Sequence, residues 1–127
     1  MKPRVVSDGV LALGAIDWDR RLFDSLIPLP DGTSYNAYLV QGSHKTALLD
    51  AVDPSKKDEL MAQLASVDRI DFVVSHHAEQ DHSGAIPDVL AKYPQAKVVT
   101  STKARGMLLD LLDGIPEDRV ITVEDGE

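Results

Sequence analysis

The chain has 127 residues, 43% of them hydrophobic, enough for one domain with its own core and no long polar tract. Thirteen Lys and Arg against 21 Asp and Glu leave a net charge of −8, and the scattered cations form no stripe for a nucleic-acid backbone. The absence of cysteine excludes disulfides, a thiol nucleophile and iron–sulfur ligation by this chain.

The first residues, Met1 to Asp8, lack the apolar centre of a signal peptide, and no apolar run approaches membrane-spanning length. A cytoplasmic protein without membrane or nucleic-acid partners is the expectation. Residues 10–16 read as a strand after a turn at Asp8-Gly9. Residues 18–30 read as a turn of helix or an irregular excursion, stopped by Pro28 and Pro30. Residues 35–40 and 46–51 read as a hairpin around Gly42-Ser43.

Asp53-Pro54 opens a helix: the carboxylate can accept orphan first-turn N–H groups, and Pro loses nothing at the first helical position. Leu60, Met61 and Leu64 give that helix one apolar stripe. Residues 70–74 read as a strand buried on both faces. Ser83 is the expected cap of a helix carrying Ile86, Val89, Leu90 and Tyr93, followed by a short strand at Val98-Val99. Thr100 or Ser101 caps a helix over 103–112, with Met107, Leu108, Leu111 and Leu112 as its buried face and Gly114 and Pro116 beyond its end. Residues 119–123 read as a last strand, and 124–127 as a turn. The β-α-β-α-β-α-β order predicts an α/β layered fold with helices covering a sheet.

The chemistry concentrates at His77-Ala78-Glu79-Gln80-Asp81-His82, directly after the strand 70–74. In such folds, loops leaving the carboxyl ends of buried strands commonly carry the site. Two imidazoles and two carboxylates suit iron, zinc or manganese, whereas calcium and magnesium want oxygen alone. In an extended loop, His77 and Asp81 would converge while Glu79 faces elsewhere, and the adjacent Asp81 and His82 would point apart, so that one loop reaches two ions. His76 is expected to face away and support its neighbour, or to lie exposed. His44 reads as a surface residue, and Asp50 as a strand-end cap or a support for a ligand. From Ser83 to Glu127 there is no histidine, so the chain supplies one wall of a metal site.

The run from His77 to Gly84 resembles the metal loop of the metallo-β-lactamase superfamily, in the variant with Glu79 where hydrolases carry His. That variant is the flavodiiron pattern. Residues 32–39 resemble the hairpin leading into the same domain, and residues 18–23 the segment before it. The resemblance implies an αββα sandwich of which residues 1–127 form the amino-terminal half, the second half and a flavodoxin-like domain lying beyond.

It further implies His77 and Glu79 as ligands of one iron, and Asp81 and His82 as ligands of a second, in a di-iron centre fed by flavin mononucleotide (FMN). No catalytic or flavin-contacting residue is assigned within these 127 positions. The implied activity is reduction of dioxygen to water or of nitric oxide to nitrous oxide. Rubredoxin or a flavin reductase would be the electron donor, and a homodimer or tetramer the assembly. The chain alone is expected to be inactive. The competing reading is a lactamase-like hydrolase using metal-bound hydroxide, which Glu79 disfavours.

Overall fold

The computed structural model describes residues 1–126; Glu127, the last position of the expected terminal turn, lies outside them. Its main sheet begins with strands β1 (Arg4–Ser7), β2 (Val10–Asp17), β5 (Thr33–Gln41) and β6 (Thr46–Leu49), paired antiparallel. Strands β7 (Phe72–Val74), β8 (Lys97–Thr100) and β9 (Val120–Thr122) follow, each added parallel to the one before. The order is β1-β2-β5-β6-β7-β8-β9.

The crossovers carry helices α1 (Lys57–Gln63), α2 (Gln80–Ser83), α3 (Ile86–Lys92) and α4 (Thr102–Leu111). Every parallel step runs in the same direction along the sheet, so right-handed connections put the crossover helices on one face. The core lies there: Leu39, Leu48, Val73 and Val98 from the sheet meet Leu60, Ile86, Val89, Leu90 and Leu108 from the helices.

Strict alternation along β5 shows what is left outside. Tyr35, Ala37 and Leu39 are buried while Ser34, Asn36 and Tyr38 are exposed. Register puts Tyr38, Leu49, Val74, Val99 and Ile121 in one row on the face without helices. Phe72 and Val74 are only half-buried, so strand β7 is covered on one face and not on both as its composition suggested. It is also shorter than the 70–74 span expected.

Local chemistry accounts for the ends of the elements. Asp53 accepts from the Ser55 amide at 2.9 Å and starts a 3-10 turn that leads into α1. Ser101, rather than Thr100, caps α4, accepting from the Ala104 amide. Where β2 runs on beyond its pairing with β1, the Gln63 side chain takes the place of a strand: its Oε1 accepts from Gly14 N at 2.9 Å, and its Nε2 donates to Gly14 O at 2.7 Å.

Three expectations need correction. Residues 18–30 hold no helix but a small ribbon of β3 (Leu22–Phe23) and β4 (Ile27–Pro28), with Asp24 and Ser25 at positive φ in its turn. Ser83 does not cap α3. It ends α2, and its hydroxyl bonds Ala78 O and Glu79 O, both at 3.0 Å. On α4, Leu108 and Leu112 are buried, but Met107 and Leu111 are about half exposed, at 51% and 49%. The strand β1 is an addition, four exposed residues visible only through pairing with β2.

Candidate metal centre

Strand β7 delivers its chain into a loop held from several sides. Thr100 Oγ1 donates to Ser75 O at 2.9 Å, and Ser75 Oγ donates to His77 O at 2.9 Å. The far end is tied to the loop after β6, where Ala51 N donates to His82 O at 2.8 Å and Ala85 N to Val52 O at 3.1 Å. Gly84 lies against Pro54 so closely that a Cβ would stand 2.3 Å from Pro54 Cδ. The candidate ligands thus sit on backbone fixed by β6, β7 and β8 together.

All four predicted ligands fall on this segment, but not in the geometry an extended loop would give. Asp81 and His82 lie on the single turn α2, which follows Glu79. His77 pairs with Glu79, Nδ1 to Oε2 at 3.1 Å, and Asp81 pairs with His82, Oδ2 to Nε2 at 3.4 Å. His77 and Asp81 are therefore not the converging pair, and Asp81 and His82 do not point apart. The helical turn brings the adjacent pair together, and Glu79, extended at the start of that turn, reaches His77 with its side chain. The two imidazole rings lie 4.4 Å apart, centroid to centroid.

These separations fit a shared ion. Two donors each about 2.1 Å from one metal at a right angle stand roughly 3 Å apart. A second sign is His82 Nδ1, a buried side-chain nitrogen without a hydrogen-bond partner. A ring nitrogen in that position is what a metal-ligating histidine offers to a supporting carboxylate. Among the described residues no three His, Asp or Glu side chains converge as a complete cage. The loop carries two donor pairs, one more exposed (His77 44%, Glu79 66%) and one deeper (His82 28%, Asp81 16%).

A cleft of ≈720 Å³ opens beside the His77–Glu79 pair, lined by His77, Ala78 and Glu79 on one wall and Met107, Asp110 and Leu111 on the other. This explains the exposure of Met107 and Leu111, whose four-residue spacing does not separate the two cases because a cleft wall and a core stripe share one helical period. His76 is exposed, its Nδ1 3.0 Å from Asp50 Oδ2, so it turns from the cleft and binds a carboxylate. Asp50 stands directly after the end of β6; its φ of +55° places it in the left-handed region, where its carboxylate reaches the histidine loop.

A charged network closes the same end of the sheet beside the loop after β6. Burial pushes the Asp17 carboxyl up, but the Tyr35 hydroxyl at 3.1 Å and the nearby Lys56 ammonium outweigh it, and the net direction is down. Burial raises Tyr35 in turn, and the Asp17 hydrogen bond raises it further, so the pair stays carboxylate and phenol at neutral pH. Arg20 reaches from the loop after β2 to Asp53 Oδ2 at 3.4 Å.

A one-sided α/β sheet with a His-x-Glu-x-Asp-His segment after a parallel strand matches the metallo-β-lactamase-like fold. A subclass B3 metallo-β-lactamase from a soil metagenome superposes on the whole chain with a TM-score of 0.73, at 16% identity and over 47% of its own length, which speaks to fold alone. No family model matches the chain. The type A flavoprotein of Rhodobacter capsulatus is 40% identical over 113 residues, 87% of this chain and 26% of that protein. The rubredoxin-oxygen oxidoreductase of Megalodesulfovibrio gigas is 41% identical over 105 residues, 80% of this chain and 26% of the relative. The flavodiiron protein of Giardia intestinalis superposes on 98% of the chain and 31% of its own, with a TM-score of 0.86 and 26% identity. The chain belongs to the flavodiiron proteins, or A-type flavoproteins, and corresponds to the amino-terminal part of their metallo-β-lactamase-like domain. It spans about a third or less of the length of these relatives.

Proposed function

We propose that these 127 residues are the amino-terminal half of a di-iron domain in a flavodiiron oxidoreductase that reduces dioxygen to water, nitric oxide to nitrous oxide, or both. The observation that carries this reading is the division of the loop into two donor pairs, His77 with Glu79 and Asp81 with His82. The first pair would hold one iron and the second pair the other. When bound, iron supplies the redox chemistry at which the substrate accepts electrons delivered through FMN. The chain's own residues hold and orient: Glu79 contributes a hard anionic donor at the cleft, suited to iron in its higher oxidation states, and the buried Ser83 hydroxyl fixes the turn that presents Asp81 and His82.

The remaining ligands and the flavin-binding domain would come from the rest of the protein, on the sheet face without helices and beyond it. Rubredoxin or a flavin reductase would donate electrons to a cytoplasmic homodimer or tetramer. Among the described residues no helix is long and apolar enough to cross a membrane.

Anaerobic titration of the 127-residue chain with Fe²⁺ tests the ligand assignment. Binding is expected, and His82→Ala should weaken it by about 10-fold or more, the scale of losing a ligand or its support. Glu79→His should shift preference toward Zn²⁺. Supplied with reduced flavin, the chain alone should consume neither oxygen nor nitric oxide. Failure to bind Fe²⁺, or zinc-dependent hydrolysis by the wild type, would overturn the reading.

A further inference from the structure

One carboxylate serves two imidazoles in this loop. Asp50 follows β6, its amide donating to Val74 O at 2.8 Å and its backbone left-handed. Its Oδ1 accepts from the His76 amide at 3.0 Å. Its Oδ2 lies 3.0 Å from His76 Nδ1 but 3.9 Å from His82 Nδ1, beyond hydrogen-bond reach. The two claimants differ in need. The His76 side chain is 56% exposed and can turn to water, whereas His82 Nδ1 is buried and unpartnered. The better-placed acceptor is thus held by the histidine that needs it less.

We propose that His76 competes with His82 for Asp50 and thereby sets how tightly His82 holds a metal ion. With Asp50 turned to His82, the Nδ1–H donates to Oδ2, and the tautomer is fixed with the Nε2 lone pair on the side of Asp81. Ligating histidines almost always hand their second N–H to such an acceptor, and losing it typically costs 10- to 100-fold in metal affinity. While His76 keeps Oδ2, that support is withheld. Asp50 and His76 are positioning residues here, neither contacting the ion. The inference rests on the metal reading above and adds to it a residue outside the ligand motif.

The test uses the whole chain, titrated with Co²⁺ alone and followed by its visible ligand-field bands, together with ¹⁵N spectra of the imidazoles without metal. His76→Ala is a surface change and should tighten Co²⁺ binding about three- to tenfold, the worth of one ordinary hydrogen bond. In the metal-free protein it should move the His82 Nδ1 resonance to that of a hydrogen-bonded N–H. His76→Gln should behave as His76→Ala with a smaller gain. Asp50→Asn, which still tolerates the left-handed backbone, should weaken binding, and adding His76→Ala to it should restore nothing. A purely structural role for His76 would leave the His82 resonance in place. Co²⁺ binding that His76→Ala leaves unchanged or weakens overturns the inference alone. No Co²⁺ binding by wild type and variants alike overturns the metal reading and the inference together.

Discussion

Gly84 shows how one missing Cβ can set a site. It follows His82 by two positions, and the ring of Pro54 from the loop after β6 occupies the space a side chain would need. A proline ring cannot swing aside, so Gly84→Ala must push apart the two segments that hold His82 O and Ala51 N together. Overpacking of this kind costs about 1–3 kcal/mol. A fall in thermal midpoint of several degrees, with weaker Fe²⁺ binding than the wild type, is the expected result of calorimetry and titration. An unchanged midpoint would mean that the contact yields freely. His77 and His82 belong to the same scale: their types were readable, yet their partners were not, because the single helical turn that starts after Glu79 decides which neighbours meet.

Among the elements, the junction of β6 and β7 depends on a single side chain. Asp71, just before β7, accepts from the Thr46 amide at 2.9 Å and from Lys45 Nζ at 3.1 Å, and Arg69 Nε donates to it at 2.8 Å. The Thr46 amide is the main cause that holds its carboxyl at about 2, burial opposing and the two cations assisting. An unfolded Asp titrates near 3.9, so the folded value is depressed. The carboxylate therefore stabilises the fold at every pH above about 4, and this contribution drains away as pH falls toward about 2. Denaturation followed between those limits should show a steep acid loss for the wild type and a flatter one for Asp71→Asn, which should also be the less stable protein at neutral pH. Equal slopes would remove Asp71 from the account. In the sequence Asp71 is merely one position of the expected 70–74 strand; its role needs Lys45 and Thr46, far away along the chain.

At the scale of the whole molecule the sheet is dressed on one side. Tyr38, Leu49, Phe72, Val74, Val99 and Ile121 share the face without helices, and contiguous apolar surface of that kind marks a contact region. The chain by itself should associate reversibly with rising concentration. Ile121→Lys should reduce that association in sedimentation experiments while leaving the thermal midpoint within a few degrees. A wild type that stays monomeric at high concentration would argue that the face is adequately solvated as it is.

The sequence alone determined the α/β alternation, the helix cap at Asp53, that of α4 to within one residue, and the place and donor types of the candidate metal loop, because periodicity, capping chemistry and ligand type are properties of neighbouring residues. Tertiary structure decided the rest. The 18–30 segment pairs as a ribbon, α4 turns Met107 and Leu111 to a cleft, and Gln63 stands in for a strand beside Gly14. The parallel register of β6 with β7 also sets Asp50 between His76 and His82, 26 residues along the chain from the first of them. Each of those outcomes is a contact between segments distant in sequence, fixed by how the strands align and which face the crossovers cover, and no local pattern encodes that.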